Sequence, residues 1–409
     1  MTLPANATEQ GEKPFAARLR SWQDYLHRRH VLLIFYGLVL ATFPLLTTFW
    51  HRNLFYLTFL PVFLLTIDTG FVRQTARNWG FQLACAFIAV AWLSQFYSPD
   101  FDLEVLFNAT RKCLLVTVFL VATIQLSARY ERFLPGVAIG FLIGCVVMAV
   151  FMIGEAVSLD RWPPPRLEGF GRGENSILAA VLFGIALITA LDILRSPDWK
   201  RYWRMAAAGA AIPLIAATLL THSRGPWVAL YATLIVLLLA ERRWCLLLGV
   251  GAATAAGAIM VIADIVDGGS IISRMYSQRL VLWSQTWEWI VENPILGAGY
   301  NADLGLVADD GIPYKAPHSL YISVLAFFGL AGTIPFFGML GYCLRRMVLD
   351  LTQEICSMST LLLIFGLVNG AFHGYVPINN LNVEWLVLWL PIGFEIGCAQ
   401  REKSAQTDT

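Results

Sequence analysis

The sequence predicts an all-α polytopic membrane protein, and three observations lead there. Hydrophobic residues fill 57% of the 409 positions and charged ones only 14%, with a mean hydropathy of +0.62, whereas a soluble globular domain carries about 25% charge. Apolar stretches near the ~20 residues that a spanning helix needs recur along the whole chain, separated by short polar connections. Finally, 19 of the 29 lysines and arginines fall in the two tails and in every second connection, and ten in the other connections.

Twelve such stretches can be marked, with cores at 31–50, 54–71, 79–97, 112–128, 134–157, 176–194, 205–221, 226–241, 245–263, 318–344, 357–375 and 383–399. Basic residues concentrate in the tail before the first stretch and in the connections holding Arg73/Arg77, Arg129/Arg132, Arg195/Lys200/Arg201/Arg204, Arg242/Arg243, Arg345/Arg346 and Arg401/Lys403. By the positive-inside rule both termini, 1–30 and 400–409, are expected to be cytoplasmic tails, and the long polar segment 264–317 between the ninth and tenth spans is expected outside. The first thirty residues are polar and basic, and the first apolar run is long enough to stay as an anchor, so no cleavable signal peptide is expected. The seven cysteines lie in or near spans without metal-ligand spacing and read as small buried hydrophobes. One membrane domain over 1–409 is the simplest partition. The net charge of +1 singles out no partner, and no nucleic-acid partner is expected.

The connections on the outer side carry the chemistry. His51-Arg52-Asn53 reads as a tight turn, and the acidic, aromatic Ser98–Asn108 stretch as structural. Ser158–Asn175 contains three consecutive prolines and then glycines, with Arg161, Arg166 and Arg172. The next outer turn, T-H-S-R-G-P-W, puts Arg224 at a membrane boundary, with Pro226 inside the start of the following helix. The 264–317 segment holds Arg274, Arg279 and the Asp309-Asp310 pair, and its interior reads as two short amphipathic helices, about 272–292 and 301–308, joined by an N-P-I-L-G-A-G turn.

A single boundary arginine ordinarily snorkels or pairs with a lipid headgroup. Several of them, Arg166, Arg172, Arg224 and Arg279, beside one histidine look instead like a site for an anion, because guanidinium groups hold phosphate oxygens in a planar, bidentate way. At membrane depth such an anion is most simply a lipid phosphate or pyrophosphate. His318 opens the apolar run H-S-L-Y-I-S-V-L-A-F-F-G-L-A-G, which places it on the first turn of a long helix. Unpaired N–H groups, the positive end of the helix dipole and nearby arginines disfavour its imidazolium there. A neutral imidazole can act as a general base. Gly329 and Gly332 fall eleven and fourteen positions on, which in a continuous helix returns both to the His318 face for close helix packing. The adjacent Asp309-Asp310 pair, in D-D-G-I-P, reads as a solvated turn, so no metal is expected.

These residues carry a family resemblance. His318–Gly332 resembles the histidine motif of bacterial lipopolysaccharide O-antigen ligases, in which His and Asn/Ser/Gln are followed by nine residues, Gly, two residues and Gly/Thr/Tyr. Arg279–Asn301, R-L-V-L-W-S-Q-T-W-E-W-I-V-E-N-P-I-L-G-A-G-Y-N, is similar to the arginine, tryptophan and P-x-x-G-x-G run of the wider O-antigen ligase and polymerase superfamily, and S-R-G at Ser223–Gly225 resembles a third shared element. Trp283 stands where the arginine motif often has leucine, Ser176 where a proline is common, and Arg166 and Arg172 match less sharply.

The resemblance implies a glycosyltransferase of GT-C-like architecture in the bacterial inner membrane, with a periplasmic site. It would move a polysaccharide from undecaprenyl pyrophosphate to a sugar hydroxyl of lipid A-core, without cofactor or metal and with inversion. His318 would be the base, Arg224 and Arg279 would act in catalysis, and Arg166 or Arg172 would help hold the pyrophosphate. The nearest rival within the superfamily is an O-antigen polymerase or another lipid-linked oligosaccharide transferase. A transporter or flippase of lipid-linked sugars also has about twelve spans, but would place ionisable residues near the midplane, whereas here they gather at one face.

Overall fold

The computed structural model describes residues 26, 30–99, 101–160, 162–164, 166–262, 268–308, 311–352, 357–374 and 376–407. The described chain is a helical bundle, in keeping with an all-α integral membrane protein. Its helices are α1 (Val31–Thr42), α2 (Thr48–Thr66), α3 (Thr69–Thr75), α4 (Trp79–Leu93), α5 (Leu103–Arg129), α6 (Phe133–Ser158), α7 (Ser176–Arg195), α8 (Arg201–Leu220), α9 (Arg224–Ala240), α10 (Trp244–Ile262), α11 (Gly268–Glu292), α12 (Leu320–Thr352), α13 (Met358–Phe372) and α14 (Leu390–Thr407). Among the described residues α4 to α8 and α12 are each long and apolar enough to cross a membrane, α4 with its continuation to Tyr97. Helices α2 and α3 pass the same test only as a pair, bent by 88° at their junction, the geometry of a broken span or a re-entrant loop. Helices α1, α9 and α13 are apolar but shorter.

Local chemistry sets the helix ends. Asp68 turns the chain between α2 and α3 and accepts from the N–H groups of Gly70 and Phe71, at 2.9 and 3.1 Å. Asn78 caps α4 through Gly80 and Phe81, and Asn175 caps α7 through Ile177 and Leu178; each satisfies backbone donors that the first helical turn leaves open. The apolar run expected as one span over 31–50 breaks after Thr42, where Pro44 follows. The Pro44 carbonyl, freed from any helix, accepts from the Arg172 N–H at 3.3 Å.

The core is aromatic. Tyr36 of α1 stacks on Phe119 of α5 at 5.4 Å and meets Phe59 of α2 and Phe133 of α6 edge-on. Trp385, in the π-helical turn Trp385–Trp389 leading into α14, lies 4.8 Å from Phe119 and 5.8 Å from Phe55. Helix α14 runs against α5 through Gly393 and Gly397, which face Thr123 and Ser127; small residues let membrane helices approach closely.

One expectation for the 264–317 segment is corrected. Residues 268–292 form one helix, but 301–308 is not helical. It is an extended stretch ending in a strand, Leu306–Val307, paired antiparallel with Pro313–Tyr314. Asn301 at φ 64, Gly299 at φ 93 and Gly305 at φ 60 are left-handed positions that no right-handed helix contains. Asp309, Asp310 and Arg161 lie outside the described residues, as do residues 264–267, most of the 1–30 tail and the last two residues. The Arg274 side chain is likewise outside them.

Candidate functional site

The site is assembled on α11, whose side chains hold the polar segment that follows it. Trp283 Nε1 donates to the Pro317 carbonyl at 2.9 Å, and Trp289 Nε1 to the Leu304 carbonyl at 2.9 Å. Gln285 bonds the Val307 backbone twice, donating to its carbonyl and accepting from its N–H. The two tryptophan bonds satisfy carbonyls of the buried Pro317 and Leu304 that would otherwise be unpaired.

The N-P-I-L-G-A-G run is the second support. Helix α12 is broken at Gly329, with φ 54 and ψ −159, and the run docks into the break. Ala298 N–H donates to the Ala326 carbonyl at 2.8 Å and Gly299 N–H to Phe327 at 2.9 Å, while Leu330 N–H donates to Pro294 and Ala331 N–H to Ile295, both at 2.9 Å. Gly297 and Gly329 meet backbone to backbone. A Cβ on Gly297 would come within 2.5 Å of the Gly329 nitrogen, and one on Gly329 would collide with the Ile295 carbonyl. Tyr300 then seats the end of the run: its N–H bonds Ser94, its hydroxyl donates to the Ile378 carbonyl, and Lys112 donates to that hydroxyl at 3.0 Å.

His318 stands at the end of the segment that α11 holds. It is not on the first turn of α12, as the sequence led us to expect, but two residues before it, in the left-handed region at φ 56. The α12 ladder begins with Ser323 N–H donating to the Ser319 carbonyl. The shared face expected for His318, Gly329 and Gly332 is therefore also corrected. His318 is off the helix, and the break at Gly329 interrupts the 100° periodicity. Gly329 serves the loop–helix interlock, and Gly332 makes room for the Phe328 side chain of its own helix.

Around His318 the ring of Tyr314 packs edge-on at 5.2 Å. Burial pushes the His318 imidazole below its ordinary pKa, and the Arg279 cation lowers it further. Arg279 reaches in from α11 with its guanidinium 5.7 Å from the ring centre of Phe372, at the end of α13. Just past that end, His373 is pushed down to about 4 by burial, then by His318 and Arg279. The first turn of α12 abuts this corner, with Leu320 against Gly370 and Gly374. The T-H-S-R-G turn joins it from α9, since Gly225 lies against Phe372 and the exposed Arg224 is the first residue of that helix. Arg166 belongs to the same turn, with Nε donating to the Thr221 carbonyl at 3.2 Å and Nη2 lying 3.5 Å from Ser223 Oγ.

Arg172 goes elsewhere. It is 4% exposed, donates to the Leu381 carbonyl at 2.6 Å, lies 3.5 Å from His51 Nδ1 and covers the Phe43 ring at 4.4 Å. Its field also reaches the buried Glu384. These partners are a different set from those of His318, and a cation so enclosed is a structural tie between the 158–175 connection and the chain before α14. The sequence reading placed it with Arg166 as an anion ligand; the structure separates the two.

The convergence of α9, α11, α12 and α13 falls largely within one stretch of sequence. Residues 209–337 match the family of O-antigen ligases, a span holding Arg224, Arg279, His318, Gly329 and Gly332. Over that span the chain is similar to the O-antigen ligase family. It is also similar to an O-antigen ligase of Pseudomonas aeruginosa, with 29% identity over 252 residues, which cover 59% of this chain and 60% of that protein. The alignment thus spans less than two thirds of the relative's length.

The sequence reading missed His373, which lies beyond the matched 209–337 span. Its signal was faint: a polar Asn369, Gly370, His373, Gly374 run closing an otherwise apolar stretch. Chemically, the corner offers imidazoles held neutral beside a guanidinium, an arrangement able to take a proton from a hydroxyl while a cation holds an oxyanion. Among the described residues no group of three or more His, Cys, Asp or Glu side chains is arranged to hold a metal ion.

Proposed function

We propose that the protein is an O-antigen ligase that transfers a polysaccharide from undecaprenyl pyrophosphate to a sugar hydroxyl of lipid A-core. In this reading it is a GT-C-like enzyme of twelve spans in the inner membrane, both termini are cytoplasmic, and the 264–317 segment with the site faces the periplasm. The acceptor oxygen attacks the anomeric carbon and forms the new glycosidic bond. The bond from that carbon to the pyrophosphate oxygen breaks, the electron pair leaves with the pyrophosphate, and the configuration inverts. His318 takes the hydroxyl proton. Arg279 and Arg224, with Arg166 behind the same turn, stabilise the charge growing on the leaving group, a contribution of about 10² to 10³ in rate for one such donor. No metal takes part.

The observation that carries this reading is the meeting of His318, His373 and Arg279 beside the Arg224 turn at one end of the bundle. The test is transfer in vitro from purified undecaprenyl-pyrophosphate donor to lipid A-core, with wild type, a folded His318→Ala variant and an EDTA control. The expected result is transfer that survives EDTA and is lost in the variant. Elongation of the lipid-linked chain without modification of lipid A-core would make the protein a polymerase, full activity of the variant would remove His318 as base, and movement of donor across vesicles without a new glycosidic bond would make it a transporter.

A further inference from the structure

At the end of the bundle opposite His318, α1 and α6 leave a groove between them. Both helices start at that end. His30, just before α1, bonds Tyr130 Oη at 2.8 Å, and Gly37 and Ala41 lie against Val137 and Gly140 one to three turns further along. Helix α5 confirms the direction, running from Lys112 beside Tyr300 to Ser127 beside Arg401, while α12 runs from the His318 flank to Arg346. The groove has a volume of about 750 Å³. Its floor is made by absent side chains at Gly37, Gly136 and Gly140, and its mouth by Arg129, Tyr130 and Arg132.

We propose that this groove binds one anionic glycerophospholipid, with an acyl chain along the α1–α6 seam and the phosphate at Arg132 and Arg129. Dimensions favour this occupant. From Tyr130 to Gly140 the groove runs about 15 Å along the helix axis, the depth of one leaflet of a ~30 Å hydrocarbon core. Its wall is apolar and open, with Ile34 62% exposed and a Cβ on Gly136 meeting nothing within 4 Å. Charge favours an anion over a zwitterion. Glu131 also lines the mouth, and Arg129 and Arg132 are paired with Asp68 at 3.4 Å and Asp198 at 3.3 Å. The Arg132–Asp198 pair is exposed on both sides, and such pairs hold weakly in water. A phosphate can therefore replace the carboxylate, and the connection that Asp198 anchors at the mouth is basic, with Lys200, Arg201 and Arg204 following in the chain. Basic pockets between membrane helices select anionic headgroups in this way.

The full chain, delipidated in detergent and then offered equal amounts of phosphatidylglycerol and phosphatidylcholine, is weighed by native mass spectrometry. Wild type is expected to retain one phosphatidylglycerol in preference to phosphatidylcholine. Gly136→Leu fills the groove with a side chain that has room there, and is expected to abolish that retention. Arg132→Ala is expected to lower it about fivefold, the worth of one cation near an anionic headgroup. Because Arg132 is exposed, its variant carries the test if Gly136→Leu does not fold. Equal retention of the two lipids, or a phosphatidylglycerol preference unchanged in Arg132→Ala, overturns the proposal.

Discussion

Replacing Gly329 by alanine strikes the interlock between α12 and the N-P-I-L-G-A-G run. At φ 54 and ψ −159 Gly329 occupies a region that is essentially glycine's alone, and forcing a side chain there costs about 1 to 3 kcal/mol. The added Cβ would also collide with the Ile295 carbonyl and crowd the Gly297 nitrogen. Both are backbone atoms that no rotamer change can clear, so relief requires the two segments to part. Four hydrogen bonds join them, each worth about 1 kcal/mol net. Loss of half of them on top of the strain gives roughly 3 to 5 kcal/mol, or at least ~10² in the frequency of local opening. Hydrogen exchange at the amides of Ala298, Gly299, Leu330 and Ala331 is the assay. Gly305→Ala supplies the control, since Gly305 is also left-handed, at φ 60, but a Cβ there meets open space; it should cost only about 1 to 2 kcal/mol. Protection at those four amides unchanged in Gly329→Ala, or equal effects of the two substitutions, would refute the interlock.

Because burial and Arg279 hold the His318 imidazole below its ordinary pKa, the base form persists to lower pH. The acid limb of kcat/KM should then lie below about 6.5, and Arg279→Gln should move it upward. On the proposed mechanism a bound pyrophosphate offsets the Arg279 charge, so the acid limb of kcat should sit above that of kcat/KM for the donor. Trp283→Phe removes the donor to the buried Pro317 carbonyl, which should cost about 1 to 3 kcal/mol of stability in thermal unfolding and lower kcat with KM little changed. Arg172→Met removes the charged donor to the buried Leu381 carbonyl and should destabilise by about 1 to 3 kcal/mol; because the Arg172 field also reaches Glu384, a second change, Glu384→Gln, should recover part of the loss in a double-mutant cycle.

What could be read from the sequence follows from where the information is local. Apolar runs and their polar punctuation gave the helical membrane class, and Asp68, Asn78 and Asn175 sit at helix starts because a short acceptor side chain meets its own next turn. Arg224, Arg279 and His318 were legible as boundary residues of unusual type. The extended 301–308 stretch and the kink at Gly329 were not, because each is held by a partner distant in sequence: Gln285 of α11 and the 294–299 run. Arg166 and Arg172 show the same limit from the other side. Six residues apart in one arginine-bearing connection, they are sent by Leu167 pairing with Leu220 and by Gly171 folding onto Pro44 and Leu45 to different neighbours. Composition cannot distinguish them.

His318 carries the most instructive difference between expectation and structure. A histidine on the first helical turn would be kept neutral by the dipole of its own helix, a property of backbone that no side-chain substitution removes. With α12 beginning at Leu320 and His318 turned into the left-handed region, the depressed pKa rests on burial first and Arg279 second. Both causes come from other elements. Arg279 is delivered by α11, and α11 is held to the His318 flank by the Trp283 bond to Pro317, while the run that follows α11 is fixed by the interlock at Gly329. The strength of the base is thus a property of the assembled corner. Substitutions at Gly329, Trp283 and Arg279, chemically unrelated, should therefore converge on one observable, an acid limb displaced toward the value of an unperturbed histidine. A limb that moves with Arg279 alone would mean that the corner keeps its geometry without the interlock, and that the supports described here are not what sets it.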